Sequence, residues 1–193
     1  MLNAALNLYD EDFEIIEGEK FMSPSPSVNH NLITARLIMA LGTPLVVSNR
    51  GYALPEMDVH FPDGNLVKPD LTVISFDNRQ IMHKKSAIYG VPEMAVEIFS
   101  RSTRKRDVTI KKNIYEKNGV KEYWIVDPFA KTIEVFTLHD GKFDEGAEYI
   151  YYDDEDEWNS LTEEERENSP QEIVSSIFED VTVKLSDAFG WYI

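Results

Sequence analysis

An acidic residue interrupts an apolar run in the middle of the chain, and this feature constrains the fold more than any other. Around Glu97, the run AVEIF has the composition of a strand that is covered on both faces. An ionised carboxylate in such a strand costs several kcal/mol unless a cation, a metal ion or hydrogen-bond donors compensate it. We therefore expect a compensating group to lie against Glu97.

The segment after this strand predicts a helix from about Thr103 to Asn118, with Gly119 as the residue that ends it. At helical spacing Lys111 shares one side with Tyr115, so its ammonium group is predicted to point toward the sheet. Another strand, EYWIV, follows directly, so the unit reads strand, helix, strand. Lys111 is therefore a candidate partner for Glu97.

Two more carboxylates stand at strand positions earlier in the chain. Asp70 follows Pro69 at the start of the apolar strand LTVIS, where it either caps a turn or holds a metal ion at the strand's edge. Asp58 interrupts the alternation of an earlier strand much as Glu97 does. The residues by themselves leave both interpretations of Asp70 open.

The pattern elsewhere predicts several ordinary elements. These are a hairpin in FEIIEGEKF, a helix from about Val28 to Leu41 that Gly42 ends, a strand near Val46 to Leu54, and an edge strand in TIEVFTL. His30, in the first turn of that helix, is interpreted as structural or solvent-facing because no second ligand stands four residues later. The closing segment, from IVSSIF onward, is expected to dock on the body.

Length and composition predict one domain over residues 1–193, with 42% hydrophobic residues and no cysteine. The lack of cysteine excludes disulfides, thiolate nucleophiles and thiolate metal sites. We expect no membrane-spanning segment, because no stretch approaches the roughly 20 apolar residues that span a membrane. The N-terminal residues also lack the basic region of a secretory signal, so we expect a cytoplasmic protein.

The net charge of -16 is distributed unevenly. Residues 140–180 carry a net charge of -14, and they include an acidic insertion at about residues 153–170. Residues 101–121 carry a net charge of +6. Only this basic segment is compatible with phosphate contacts. Its candidate nucleic-acid-binding residues are Arg101, Arg104, Lys105 and Arg106.

The segments FEIIEGE, SPSPSVNH, KPDLTVI, PEMAVEIFSRST and RDVTIKKNIYEKNGVKEYWIVDP carry a family resemblance. The chain resembles the PD-(D/E)XK nuclease superfamily and, within it, the Uma-type family of restriction-endonuclease-like proteins, whose function is largely unknown. The resemblance implies an α/β restriction-endonuclease-like fold, with a mixed central β-sheet flanked by helices. It also implies a Mg²⁺-dependent endonuclease that hydrolyses phosphodiester bonds in DNA.

The resemblance also implies roles for individual residues. Catalysis would rest on Asp70, Glu97 and Lys111, and the metal on the two carboxylates with the backbone carbonyl of Ile98. The superfamily lysine usually stands two residues after the second acid, where this chain has Phe99; the family pattern places it at Lys111 instead. Oxygen ligands suit Mg²⁺ or Mn²⁺. The expected supporting residues are Asp107, which would orient the lysine, Asp58 and Ser100.

Three alternatives remain at this point. The first is a buried ion pair between Glu97 and Lys111 that joins helix to sheet without a metal. The second is a catalytically inactive nuclease-fold module that binds nucleic acid or a protein partner. The third is an S-x-x-K serine acylation motif at Ser102 and Lys105, which lacks its companion motifs here. A homodimer is compatible with the sequence.

Overall fold

The structure is a computed structural model. It describes residues 13–22, 25–82, 87–99 and 107–190, and only the backbone of residues 107 and 108. In chain order the strands are β1 Phe13–Ile16, β2 Glu19–Met22, β3 Gly51–Pro55, β4 Asp58–His60, β5 Leu66–Val67, β6 Leu71–Ser75, β7 Ala87–Tyr89, β8 Met94–Ile98, β9 Glu122–Asp127, β10 Thr132–His139, β11 Lys142–Phe143, β12 Ala147–Ile150, β13 Glu172–Val174 and β14 Thr182–Lys184.

The α-helices are short, and two of them continue from π-helical turns. They are α1 Val28–Leu37, α2 Thr43–Val47, α3 Lys112–Asn118, α4 Glu155–Ser160, α5 Glu163–Glu167 and α6 Leu185–Phe189. π-Helical turns span Ile38–Gly42 and Asp107–Lys111, and a 3₁₀-helix spans Phe76–Ile81.

A mixed seven-stranded sheet forms the centre of the protein, in the order β11-β10-β9-β8-β6-β3, with β12 also paired to β10. The β8 and β9 strands are parallel, as expected for two strands joined through a helix, and the other pairs are antiparallel. A smaller five-stranded sheet has the order β2-β1-β5-β4-β7. The predicted α/β fold with a mixed central sheet flanked by helices is confirmed.

The two faces of the central sheet have separate cores, because successive residues of a strand point to opposite faces. In β8, Val96 and Ile98 pack with α1 and the C-terminal segment, whereas Ala95 and the following Phe99 pack with α3 and the small sheet. By this alternation, Glu97 belongs to the face that α3 covers.

The long helical segment near the N-terminus corrects one prediction. Gly42 does not end the helix, because a π-helical turn carries the chain through it into α2. A Cβ at Gly42 would lie 3.2 Å from the Cβ of Ala53, so a glycine is suited to the close approach of this turn to β3. The predicted strand near Val46 to Leu54 is therefore wrong at its start, where Val46 and Val47 are helical.

By length and composition this continuous helix, Val28–Val47, could cross a membrane, with 20 residues and a mean hydropathy of 1.3. The prediction that no stretch approaches spanning length is wrong on that criterion. The apolar side of the Val28–Val47 helix packs against the central sheet. The residues that do so are Ile33, Leu37, Leu41 and Leu45.

Two further expectations concern the second half of the chain. The predicted edge position of TIEVFTL is wrong, because β10 pairs with β9 on one side and with β11 and β12 on the other. The C-terminal hairpin of β13 and β14 docks on the body as expected, and Glu122 accepts hydrogen bonds from Ser175 and Ser176 there. A capping box of Thr162 and Glu165 begins α5.

Candidate active site

The register between β6 and β8 brings two of the predicted site residues to neighbouring positions. Leu71 pairs with Val96 in this antiparallel ladder, so extending the register by one residue sets Asp70 opposite Glu97. Asp70 directly precedes the first residue of β6, and its side chain is 20% exposed. Glu97, within β8, is 3% exposed. The two opposite positions therefore differ in exposure, because Glu97 is buried whereas Asp70 is partly exposed.

The compensating group predicted for Glu97 is Lys111. Its Nζ lies 3.0 Å from both Oε1 and Oε2 of Glu97, and the lysine is 4% exposed. The inward orientation of Lys111 expected from helical spacing is confirmed. A charge-assisted pair of this kind offsets part of the desolvation cost of the buried carboxylate.

Tyr115, one helical turn after Lys111, is a second donor to Glu97. Its hydroxyl donates to Oε1 of Glu97 at 2.5 Å. Complete burial, together with the charge of Glu97, raises the pKa of Tyr115 well above its ordinary value of 10.0. The hydroxyl therefore stays protonated at neutral pH and acts as a hydrogen-bond donor.

A third carboxylate reaches the same lysine from the N-terminal hairpin. Glu14 of β1 is 2% exposed, and its Oε1 lies 2.7 Å from Nζ of Lys111. The same oxygen accepts a hydrogen bond of 2.9 Å from the backbone N–H of Lys68. The hairpin, interpreted from sequence as a structural element, thus contributes a charged group to the site.

Among the described residues, the side chain of Asp70 has two partners. Its Oδ2 accepts a hydrogen bond of 2.6 Å from the backbone N–H of Ile98, and its Oδ1 lies 3.0 Å from Nε2 of His30. Burial lowers the pKa of His30, but the hydrogen bond and charge of Asp70, together with Asn31 and Glu56, outweigh it, so the pKa lies above its ordinary value of 6.5. His30 is buried and paired rather than solvent-facing.

Of the other predicted residues, Ile98 contacts the cluster, Asp58 lies at the surface, and the rest fall outside the described part of the chain. Asp58 forms a surface ion pair of 3.4 Å with Lys68. Ile98 contributes its N–H to Asp70, and the metal-binding role of its carbonyl stays a prediction. Outside the described residues lie Ser100, Arg101, Arg104, Lys105, Arg106 and the side chain of Asp107.

The rest of the basic segment is less uniformly exposed than its charge suggests. Lys111 is buried in the site and adds nothing to a surface for phosphate. Lys117 is exposed, but its ammonium is paired with Asp63 at 3.2 Å. The ammonium of Lys112 lies 3.4 Å from the centre of the Phe136 ring. Any nucleic-acid contact of this segment would therefore depend chiefly on its other bases.

Sequence reasoning missed Glu14, His30 and Tyr115 as parts of the site, although weak signals were present. Glu14 lies two residues before the buried Ile16 in β1, so the two side chains share the inner face of the strand. His30 shares the buried side of α1 with Ile33, one helical turn later. Periodicity indicates burial in each case, but it does not identify the partner.

Carboxylate oxygens of the kind that Mg²⁺ prefers are present in Asp70 and Glu97. Among the residues that the structure describes, no group of three or more carboxylate or histidine side chains is arranged to hold a metal ion. Mg²⁺ retains several waters and needs only one or two protein carboxylates. The donor chemistry of the pair therefore fits this ion.

A solved structure shares this fold. The crystal structure of a protein from Anabaena variabilis, described as "a putative nuclease belonging to DUF820", matches with a TM-score of 0.71. The match covers 93% of this chain and 90% of that chain, at 20% sequence identity. At this identity the likeness shows the fold, which is restriction-endonuclease-like. No curated protein is significantly similar to the chain.

The sequence itself gives the family. The family model described as "Uma2: Putative restriction endonuclease" matches residues 4–170, which is most of the 193 residues and includes Asp70, Glu97 and Lys111. The chain therefore belongs to the Uma2 family, described as putative restriction endonucleases.

Proposed function

We propose that the protein is a metal-dependent endonuclease that hydrolyses phosphodiester bonds in DNA. The observation that carries the proposal is the arrangement of Asp70 opposite Glu97, with the ammonium group of Lys111 3.0 Å from both oxygens of Glu97. Membership of a family described as putative restriction endonucleases supports the same reaction class. The DNA substrate is the expectation drawn from that family and from the basic residues 101–106.

Asp70 and Glu97 would hold the ion, which is Mg²⁺ or Mn²⁺. When bound, such an ion neutralises charge that develops on the phosphate and acidifies a bound water. The exposed edge of Asp70 gives this position access to solvent.

Lys111 has a separate task in this proposal. Its ammonium group lies 3.0 Å from Glu97. A phosphate oxygen about 4 Å from such a cation would gain on the order of 4 kcal/mol at an effective dielectric near 20. Tyr115 keeps Oε1 of Glu97 in place by donating its hydroxyl hydrogen. These residues thus pre-organise charge rather than supply a nucleophile.

One observation favours a second candidate, a catalytically inactive module of the same fold that binds nucleic acid or protein. Both oxygens of Glu97 accept hydrogen bonds from Lys111, and both oxygens of Asp70 are paired, with His30 and with the N–H of Ile98. Such an arrangement is also what a purely structural ion-pair cluster would have.

Metal titration separates the two candidates. For the nuclease, Mg²⁺ or Mn²⁺ should raise the melting temperature of the wild type through linkage, and it should support cleavage that EDTA abolishes. Asp70→Asn and Glu97→Gln should each remove both effects. Asp180→Asn is the matched control, because Asp180 pairs with Arg50 at the surface.

The measurements are thermal unfolding and cleavage of single-stranded DNA, double-stranded DNA and RNA. A wild type that gains no stability from either ion and cleaves none of these substrates would contradict the nuclease. Binding of nucleic acid that is indifferent to EDTA would then favour the inactive module.

A further inference from the structure

Glu14 joins two parts of the site through one oxygen atom. Its Oε1 lies 2.7 Å from Nζ of Lys111 and accepts a 2.9 Å hydrogen bond from the N–H of Lys68. Lys68 precedes Pro69 and Asp70 directly, and the ring of Pro69 restricts the backbone between them. The position of Glu14 therefore bears on the lysine and on the segment that carries Asp70.

The N-terminal hairpin is itself well anchored, so it can act as a fixed support. Ile15 of β1 pairs with Leu66 of β5, two residues before Lys68. Ile16 is buried in the core that α3 and the small sheet share. Glu14 thus extends from an element whose own position is set by pairing and packing.

The ammonium group of Lys111 is within ion-pair distance of carboxylates on two different elements. Glu97 lies on β8 at 3.0 Å, and Glu14 lies on β1 at 2.7 Å. An ammonium group has three N–H donors on a flexible stem, so its direction depends on its acceptors. Loss of Glu14 would remove one of these acceptors, so rotation of the ammonium group about Glu97 would be less restricted.

We propose that Glu14 is a positioning residue for the hydrolytic reaction: it fixes the direction of the Lys111 ammonium group and aligns it with the segment that carries Asp70. This inference rests on the proposed nuclease function. Glu14 acts through Lys111 and the Lys68 backbone. The N-terminal hairpin is therefore part of the machinery that prepares the site.

The decisive variant is Glu14→Gln, which keeps an oxygen for the Lys68 N–H but removes the charge that faces Lys111. We expect kcat for DNA cleavage to fall about 10²-fold, the size of effect that follows when a catalytic group is misplaced by roughly 1 Å. KM for DNA should stay unchanged. Glu19→Gln, at an exposed position of the same hairpin, is the matched control and should retain wild-type kcat.

A second variant separates positioning from simple loss of stability. Ile16→Ala loosens the same hairpin without touching Lys111. At a similar drop in melting temperature it should lower kcat far less than Glu14→Gln does. An equal fall of kcat in the two variants would overturn the inference, because hairpin docking alone would then explain the effect.

A thermal-unfolding cycle tests the contact independently of activity. The drops in melting temperature of Glu14→Gln and Lys111→Met should not add in the double variant, because both remove the same ion pair. Additive drops would overturn this inference while leaving an active nuclease unaffected. A wild type without metal-dependent cleavage would instead end the proposed function, and this inference with it.

Discussion

Lys111 lies 3.0 Å from both carboxylate oxygens of Glu97, and this contact joins the helical segment to the central sheet. Both residues are buried, so each charge depends on the other for much of its compensation. The sequence predicts this pairing as an alternative to a metal site. A lysine at this position fits both a metal-dependent active site and a structural ion pair. Metal-dependent stability and cleavage activity distinguish the two.

Removal of this lysine should destabilise the protein strongly. Lys111→Met leaves Glu97 and Glu14 without the cation that they share, so we expect the free energy of unfolding to fall by about 3–5 kcal/mol. Lys112→Met is the control, because the adjacent lysine lies over the Phe136 ring and its removal should cost about 0.5–1 kcal/mol. Urea denaturation measures both, and similar effects would contradict the importance of the buried pair.

Asp63 should give a pH-dependent contribution to stability. Burial raises its pKa, but hydrogen bonds from Asn118, Asn65 and Lys117 outweigh this, so the pKa lies below its ordinary value of 3.8. A carboxylate with a depressed folded-state pKa adds stability above its unfolded pKa and loses it as the pH falls through the folded-state pKa. These bonds tie the end of α3 to the turn before β5.

The corresponding variant is Asp63→Asn. We expect it to be less stable than the wild type at neutral pH, and the difference should shrink as the pH falls below 3.8. Denaturant unfolding at several pH values measures the difference. A gap between the two proteins that stays constant down to acid pH would show that the charge of Asp63 is unimportant.

Thr72 offers a test of core polarity. Its side chain is fully buried in β6 between β3 and β8, and its hydroxyl has no hydrogen-bond partner among the described residues. Thr72→Val keeps the shape and removes the unsatisfied group, so we expect about 1 kcal/mol of added stability. In the control Thr34→Val, a hydroxyl that donates to the carbonyl of His30 is removed, and stability should fall by about 0.5–1 kcal/mol. Thermal unfolding would reveal the opposite signs.

The basic segment should determine the salt dependence of nucleic-acid binding. Changing Arg104, Lys105 and Arg106 to Glu should weaken DNA binding at low salt. It should also flatten the plot of log affinity against log salt, by about 0.9 for each phosphate that the protein no longer neutralises. Lys184→Glu, on β14, is a control for added negative charge. A salt titration in which the triple variant matches the wild type would remove this segment from the interface.

The sequence alone determined which side of the central strand and of the helix after it is buried. The apolar run around Glu97 indicated a covered strand, and the helical spacing of Lys111 and Tyr115 indicated an inward lysine. Gly119 adopts the left-handed conformation expected of a helix end, with φ of 86°. These features depend on neighbours within one turn or one strand, where periodicity and backbone sterics act directly.

Only the tertiary structure decided which buried faces meet. The contact of Glu14 with Lys111 and that of His30 with Asp70 join residues far apart in the chain. The close approach of Gly42 to Ala53 of β3 likewise belongs to the tertiary packing. Local spacing indicates burial but does not specify the partner, because strand register and sheet packing set the partner across the chain.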